Sequence, residues 1–193
     1  MTELLLEKIK KYVTVADKDA AILDTYFQSK RIPKGDYLHK PGEVFHAAAF
    51  VQTGLFRSFI VDENGVEHTL QFSVPGWWAG DLGSFISGKP SKLYSEALED
   101  SEILTIKKND WDNLLNEAPF YMDYHRKLLE KGLISTQNRL LESYSVDAKK
   151  KYIHFLEIFP DILRRVPQYM IASYLGMSRE TLSRVRKQIA EQK

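Results

Sequence analysis

Turn-forming residues recur about every ten positions between residues 31 and 108, and this spacing restricts the fold more than any other feature of the sequence. The apolar stretches between the turns have the length of strands rather than of helices. Such a series predicts an antiparallel sandwich or barrel rather than alternating strand–helix units. The turn sequences are Pro33-Lys34-Gly35-Asp36, Pro41-Gly42-Glu43, Gly54, Asp62-Glu63-Asn64-Gly65, Pro75-Gly76 and Gly88-Lys89-Pro90.

The clearest hairpin of this region joins residues 55–61 to residues 66–74. The dipeptide Asn64-Gly65 lies between them, and Asn-Gly readily adopts the positive φ angles of a tight hairpin turn. We therefore predict paired strands with positive φ at Asn64 and Gly65.

Helical periodicity flanks the strands on both sides. Residues 3–12 and 17–30 carry apolar side chains at helical spacing. The segment from Pro119 to about Tyr144 predicts one helix of roughly 25 residues. A short helix is predicted over residues 152–159.

An apolar row runs along the long helix, where Leu129, Leu133, Thr136 and Leu140 follow one another at spacings of four, three and four residues. One helix of a compact domain rarely needs this length, and a heptad-like row is typical of paired helices. We predict that this row joins two copies of the chain in a homodimer. A core helix packed on the barrel is the alternative.

The net charge of +1 conceals a basic C-terminal quarter. Residues 145–193 contain ten Lys/Arg and five Asp/Glu, a balance of +5, which leaves 17 and 21, a balance of −4, for residues 1–144. A basic segment can be a solvated face or can bind nucleic acid, so its interpretation depends on the residues within it.

The stretch from Gln168 to Lys187 has the pattern of a helix-turn-helix, in which small and apolar residues let two helices pack across a tight turn. Gly176 relieves the turn, and Ser178 is placed to cap the second helix. The inner positions are Ile171, Ala172, Leu175, Leu182, Val185 and Ile189.

Polar side chains of the second helix collect opposite its apolar stripe, at about 100° per residue. Arg can bind guanine through O6 and N7, Glu can accept a hydrogen bond from cytosine N4, and Ser or Lys can bind a phosphate or a base edge. We assign DNA contacts to Ser178, Arg179, Glu180, Ser183, Arg184 and Lys187.

Composition excludes several classes of function. The absence of cysteine excludes disulfides, iron–sulfur clusters and a cysteine nucleophile, and it favours the cytoplasm. No stretch reaches the 18 or more apolar residues of a membrane span, so we expect no membrane partner. We find no catalytic motif and no His-x-His pair of a cupin-like metal enzyme, and therefore predict neither catalytic nor metal-binding residues. The histidines, each expected at the surface or in the core, are His39, His46, His68, His125 and His154.

The segment Gly176-Met177-Ser178-Arg179-Glu180-Thr181-Leu182-Ser183-Arg184 resembles the recognition-helix signature of the cyclic-AMP receptor protein and fumarate–nitrate regulator (Crp-Fnr) superfamily of bacterial transcription factors. The resemblance extends over nearly the whole chain, and residues 159–167 are similar to the compact connection of Bacteroidetes members. The segments that resemble turns of the family's β-roll are Phe50-Val51-Gln52-Thr53-Gly54-Leu55-Phe56-Arg57, Gly65, Pro75-Gly76, Gly80-Asp81-Leu82 and Ala97-Leu98-Glu99-Asp100-Ser101.

The resemblance implies an α+β chain in three parts. Residues 1–116 would form a double-stranded β-helix (jelly-roll) domain of the cyclic-nucleotide-binding type, with helices at its N-terminus. Residues 117–144 would be the dimerisation helix, and residues 145–193 the helix-turn-helix domain, with little or no β-wing after its second helix.

The resemblance also implies roles for individual residues. In the family, the residues that match Arg179, Glu180 and Arg184 read a TGA-type core in each half of a palindromic site. Ser183 matches a serine that fumarate–nitrate-type members use for the same purpose.

The ligand pocket departs from that of the cyclic-AMP binders, which carry a Gly-Glu-Leu turn and, ten and eleven residues after its Glu, an Arg-Ser pair that clamps the phosphate. Here Gly80-Asp81-Leu82 keeps the turn with Asp, and Ser91 and Lys92 occupy the two later positions. Lysine does not reproduce the planar fork of arginine at a phosphate. Ser135 and Thr136 stand where cyclic-AMP binders place a Thr-Ser pair that contacts adenine.

We therefore predict no control by cyclic AMP, while another small effector and no effector at all both stay open. The chain as a whole is expected to be a DNA-binding transcription regulator that contacts RNA polymerase where it activates. Two rivals stay open: a cupin-like metal enzyme, and a cyclic-nucleotide-binding module that acts through protein partners alone. The helix-turn-helix pattern argues against the second rival.

Overall fold

The computed structural model describes residues 1–145 and 147–191, and the chain divides into two compact units. The β-roll unit contains Met1–Ile60 and Gln71–Glu130, and the helical unit contains Val61–Leu70 and Lys131–Lys193. The three-part division expected from the sequence stays a prediction.

The secondary structure contains strands in the middle of the chain and helices on both sides of them, as predicted. The strands are β1 (Gln28–Ile32), β2 (Tyr37–His39), β3 (Ala47–Thr53), β4 (Phe56–Val61), β5 (Glu67–Ser73), β6 (Trp78–Ala79), β7 (Tyr94–Ala97) and β8 (Ser101–Lys107). The helices are α1 (Glu3–Lys10), α2 (Asp17–Ala20), α3 (Ile22–Tyr26), α4 (Leu82–Ser87), α5 (Lys108–Glu117), α6 (Pro119–Ser145), α7 (Ala148–Ile158), α8 (Ile162–Arg165), α9 (Gln168–Leu175) and α10 (Arg179–Ala190).

The strands form two four-stranded sheets with the orders β1-β8-β3-β6 and β2-β7-β4-β5. Antiparallel pairing joins strands far apart in sequence, as β3 and β8 show with Ala48 opposite Ile106 and Phe50 opposite Leu104. The predicted α+β fold with an antiparallel jelly roll is confirmed.

The core of the β-roll unit lies between strands and helices. Leu5 and Leu23 of the N-terminal helices and Tyr121 of α6 are fully buried in one apolar cluster with β3 and β8. The Trp111 ring packs edge-on against Trp78 and Tyr121, with ring centroids 5.2 and 5.5 Å apart. Each large side chain buried in this way contributes about 1.5–3 kcal/mol, so the first turns of α6 are firmly anchored.

The predicted helix over residues 17–30 is wrong in its last part. Helix α3 ends at Tyr26, and β1 then pairs with β8 from Gln28 opposite Thr105 to Ile32 opposite Ser101. Residues 28–31 carry no apolar side chain that a helix could bury, whereas a strand at the sheet edge tolerates polar and charged side chains.

The hairpin prediction is confirmed in its strands and wrong in its turn. Gly65 has a φ of 78°, but no residue other than glycine has a positive φ within the two described ranges. The Asp62 carboxylate accepts hydrogen bonds from the N–H groups of Asn64 and Val66, each at 2.9 Å. This carboxylate organises a longer loop in which only Gly65 needs the left-handed conformation.

The long helix is confirmed, since α6 runs from Pro119 to Ser145. Helix α7 begins earlier than predicted, at Ala148, because the Asp147 side chain caps it by accepting a hydrogen bond from the N–H of Lys150. No helix in the described ranges combines the length and the apolar character that a membrane crossing requires.

Candidate functional site

The two helices of the predicted helix-turn-helix are α9 and α10, joined by a tight turn. Gly176 ends α9 with a φ of 65°, a left-handed conformation that favours glycine. Ser178 caps α10, because its Oγ accepts a hydrogen bond from the N–H of Thr181 at 3.2 Å. The predicted turn and cap are both confirmed.

The inner positions of this motif pack as the sequence predicts. Ile171 and Ala172 of α9 and Leu182 and Val185 of α10 are buried, and Leu175 and Ile189 are half-buried. Because these apolar side chains point inward, the opposite face of α10 is exposed.

The predicted DNA-contacting residues lie on this exposed face. The Arg184 side chain donates a hydrogen bond from Nη2 to the Thr181 hydroxyl at 3.3 Å, and the Arg179 guanidinium lies 5.0 Å from the centre of the Tyr169 ring. These contacts leave both arginines exposed. The structure thus gathers on one exposed face Ser178, Arg179, Glu180, Ser183, Arg184 and Lys187.

The Glu180 carboxylate lies at the N-terminus of α10. Hydrogen bonds with its own backbone N–H and with Ser178, together with the positive charges of Arg179 and Arg184, hold the pKa of Glu180 below its usual range. The side chain is therefore ionised at neutral pH and can accept a hydrogen bond from a base amino group.

One positively charged side chain of α10, that of Arg186, does not lie on the outward face. Arg186 is half-buried and forms a hydrogen bond with Tyr152 of α7. Burial raises the pKa of Tyr152, and the positive charge of Arg186 opposes that rise. Arg186 therefore belongs to the interior of the helical unit rather than to its outward face.

Two of the predicted effector positions in the β-roll unit, Asp81 and Ser91, bond to each other. Asp81 caps α4 by accepting a hydrogen bond from the N–H of Ser84 at 3.1 Å, and its other oxygen accepts one from the Ser91 hydroxyl at 2.7 Å. Ser91 stands where the sequence lacks the expected arginine, and it donates to the carboxylate. The lysines of this segment, Lys89 and Lys92, are exposed.

The Gly80 turn is tightly packed. A Cβ added at Gly80 would lie 2.2 Å from the Phe45 ring, and the backbone N–H of Phe45 donates to the Ser84 hydroxyl at 3.0 Å. Leu82 next to the turn is half exposed. The Asp81 carboxylate and the Ser84 hydroxyl at the start of α4 are therefore engaged by protein atoms.

The two remaining predicted effector residues lie on α6, in the helical unit. Ser135 and Thr136 are exposed, and the Thr136 hydroxyl donates a hydrogen bond to the Gly132 carbonyl within the same helix at 2.9 Å.

Sequence reasoning missed a buried polar pair in the roll. His39 of β2 lies opposite Ser95 of β7, and both side chains are buried. The Ser95 hydroxyl has no hydrogen-bond partner among the described residues, whereas the His39 ring interacts with the Leu93 backbone. Burial lowers the pKa of His39, and the charge of Asp81 opposes this only in part. Unsatisfied buried groups of this kind are suited to a water molecule or a small polar effector. Nothing in the local sequence shows that these two residues meet.

The other histidines are scattered. His46 is exposed, His68 pairs with Asp62, His125 packs on Trp111 and His154 pairs with Glu142. Within residues 1–145 and 147–191, no group of three or more His, Asp or Glu side chains is arranged to hold a metal ion.

The predicted apolar row of α6 is exposed in the single chain. Leu133 is 72% exposed and Leu140 is 56% exposed, with Leu129 at 40%. Thr136 between them is also exposed. A contiguous apolar patch of this kind marks an interaction surface more often than a solvated one.

Comparison with known proteins gives consistent matches. The family profile described as cyclic nucleotide-binding domain matches residues 29–118. The cyclic AMP receptor protein of Thermus thermophilus is 26% identical over 182 residues, which are 92% of this chain and 84% of that protein. The fumarate and nitrate reduction regulatory protein of Vibrio cholerae is 25% identical over 186 residues, 89% of this chain and 73% of that protein.

A solved structure matches over a similar range. The c-di-GMP responsive global regulator CLP of Xanthomonas campestris aligns with a TM-score of 0.71 at 18% identity, covering 92% of this chain and 93% of that chain. A domain of the cyclic-nucleotide-binding type, a long helix and a helix-turn-helix define a transcription regulator rather than an enzyme. The chain is similar to regulators of the Crp-Fnr type over about nine-tenths of its length.

Proposed function

We propose that this regulator is a homodimer that reads a palindromic DNA site through α10. The observation that carries the proposal is the exposed face of α10, where Arg179 and Arg184 act on the ionised Glu180 and Lys187 is exposed further along the helix. Direct readout of DNA uses cationic side chains that bind phosphate or guanine and carboxylates that accept a hydrogen bond from cytosine.

The dimer follows from the geometry of such a site. Two recognition helices that contact one face of B-DNA must lie about 34 Å apart, and a two-fold axis places them so. The exposed row of Leu129, Leu133, Thr136 and Leu140 supports pairing along α6, because burying these leucines between two copies removes apolar surface from water. The proposed partners are therefore double-stranded DNA, a second copy of the chain and, at activated promoters, RNA polymerase, all in the cytoplasm.

Selection from random double-stranded DNA tests the proposal. We expect the purified chain to enrich a palindrome with TGA-type half-sites about one helical turn apart, and to shift that DNA in a gel as a dimer. A metal enzyme or a module that acts only through proteins would enrich no sequence. Enrichment of a single half-site without its mirror copy would contradict the dimeric arrangement.

We further propose that cyclic AMP does not control this chain. Asp81 bonds to Ser91 where a phosphate-binding arginine would stand, and the missing charge-assisted hydrogen bond is worth about 1.5–3 kcal/mol, roughly ten- to a hundredfold in affinity. Titration calorimetry should therefore show no micromolar binding and no gain in DNA affinity. The cyclic AMP receptor protein of Thermus thermophilus is the positive control, and micromolar binding to this chain would contradict the proposal.

A further inference from the structure

Ser173, in the middle of α9, bridges two backbone groups of β5. Its Oγ accepts a hydrogen bond from the N–H of Thr69 at 2.8 Å and donates one to the carbonyl of Glu67 at 2.9 Å. All three residues belong to the helical unit. One hydroxyl thus satisfies a backbone donor and a backbone acceptor two residues apart on the same strand.

Strand β5 is the edge of its sheet, next to β4. An edge strand presents alternate N–H and C=O groups that a further strand could pair with. Ser173 pairs with one of each, as the peptide group of a neighbouring strand would. Helix α9 is therefore held to β5 by directional bonds, in which a shift along the strand would break both contacts.

Arg139 of α6 makes a second connection at the same place. Its guanidinium donates a hydrogen bond to the Leu70 carbonyl and lies 4.8 Å from the centre of the Tyr174 ring. The Tyr174 ring packs in turn on Phe155, with ring centroids 5.3 Å apart. Arg139 consequently links α6 to both β5 and α9, and through Tyr174 to the core formed by α7.

We propose that Ser173 and Arg139 are positioning residues for DNA reading: they fix the direction of α9 and α10 relative to α6, and so set the distance between the two recognition helices of the dimer. This inference rests on the proposed function, in which the leucine row of α6 forms the dimer axis. The contacts of Ser173 and Arg139 are made with β5 and α9, so the outward face of α10, including Arg184 and Lys187, stays exposed.

The physical consequence concerns half-site spacing. A rigidly held pair of helices matches one spacing between half-sites and loses affinity at others, whereas loosely held helices accept several spacings but lose conformational freedom on binding. Removing the contacts should therefore weaken binding at the best spacing and flatten the dependence on spacing. Base preference should not change, because neither residue faces the DNA.

The experiment measures the affinity of the full chain for its selected palindrome and for versions whose spacer is one or two base pairs longer or shorter. Ser173→Ala and Arg139→Ala should each lower affinity at the best spacing about five- to twentyfold and reduce the penalty at the others. Ser173→Thr, which keeps a hydroxyl, should restore the wild-type profile. Asn138→Ala, an exposed position on the face of α6 opposite the leucine row, is the matched control.

Hydrogen exchange at the Thr69 amide reports the contact directly, and it should accelerate in Ser173→Ala but not in Asn138→Ala. Wild-type affinities and spacing profiles in both contact variants would overturn the inference. So would an equal loss at every spacing accompanied by a lower unfolding temperature, which would indicate a purely structural role. A wild-type chain that selects no DNA sequence would instead overturn the proposed function, and this inference with it.

Discussion

Replacing Leu133 and Leu140 with Glu should convert the dimer into monomers and lower the affinity for palindromic DNA by at least about a hundredfold. Both side chains are more than half exposed in the single chain, so the carboxylates cost little there. In a paired helix they would instead bury four like charges along one seam, which is strongly unfavourable. A monomer also loses the gain of two to four powers of ten that linked half-sites provide.

Sedimentation equilibrium measures the association, and a gel shift on the palindrome measures the DNA affinity. Asn138→Glu is the matched control, because position 138 lies on the opposite face of α6 and should leave both properties unchanged. A double variant that still sediments as a dimer would show that the interface lies elsewhere and that the row has another role.

The exposure of this row bears on two interpretations that the sequence leaves open, and it favours the paired helix. The spacing of Leu129, Leu133 and Leu140 is compatible with a core helix as well as with a paired one. The structure buries Tyr121 and Tyr124 near the start of α6 but leaves Leu133 and Leu140 in solvent. The first turns of the helix therefore pack as a core helix does, and the later turns leave an apolar surface exposed, on which the proposed pairing with a second copy rests.

The sequence predicts best where local rules decide the structure. Gly176 and Ser178 determine where α9 ends and α10 begins, and the apolar stripe around Leu182 determines which face of α10 is buried. These features depend on residues within about one or two helical turns, so one sequence is enough to predict them.

Prediction fails where a distant partner decides. Gln28 is in a strand because β8, more than seventy positions later, pairs with it. Asn64 avoids a positive φ because the Asp62 carboxylate organises the loop. Pairing between distant strands can override the local preference for a helix, and it leaves no periodic pattern in the sequence. For this reason the sequence predicts that the helix continues to residue 30.

Long-range pairing also explains why the sequence does not reveal the contacts that shape the predicted effector pocket and hold the helix-turn-helix. Asp81 and Ser91 are ten positions apart, and only the fold shows that they bond to each other. Ser173 looks like an ordinary polar residue of α9, yet its two partners lie more than a hundred positions earlier in the chain. Sequence patterns identify the two helices of the helix-turn-helix, but not the contacts that hold those helices in place.

Replacing Arg184 with Ala should lower the affinity for the selected palindrome by about 1–3 kcal/mol per half-site and relax the preference at one base pair in each half. The guanidinium is exposed on the outward face of α10, one turn from Glu180, and it donates a hydrogen bond to the Thr181 hydroxyl. A side chain in this position can bind guanine bidentately, and alanine leaves those base acceptors unpaired.

Substitutions at two neighbours on the same face should have different effects, which makes them informative controls. Glu180→Ala removes an ionised carboxylate near the DNA backbone, so affinity for unrelated sequences should rise while preference at its own base pair falls. Lys187→Ala should weaken all sequences alike and reduce the salt dependence by about one phosphate contact.

To separate the effects of the three substitutions, affinity is measured at several salt concentrations. The DNAs are the palindrome, each single-base variant of it and random DNA. Arg184→Ala and Glu180→Ala should each lose preference at one base pair. Lys187→Ala should change the dependence of affinity on salt and leave base preference unchanged. A uniform loss in all three variants would mean that α10 binds DNA only through charge, and that the specificity of the regulator has to come from another surface or from the shape of the DNA.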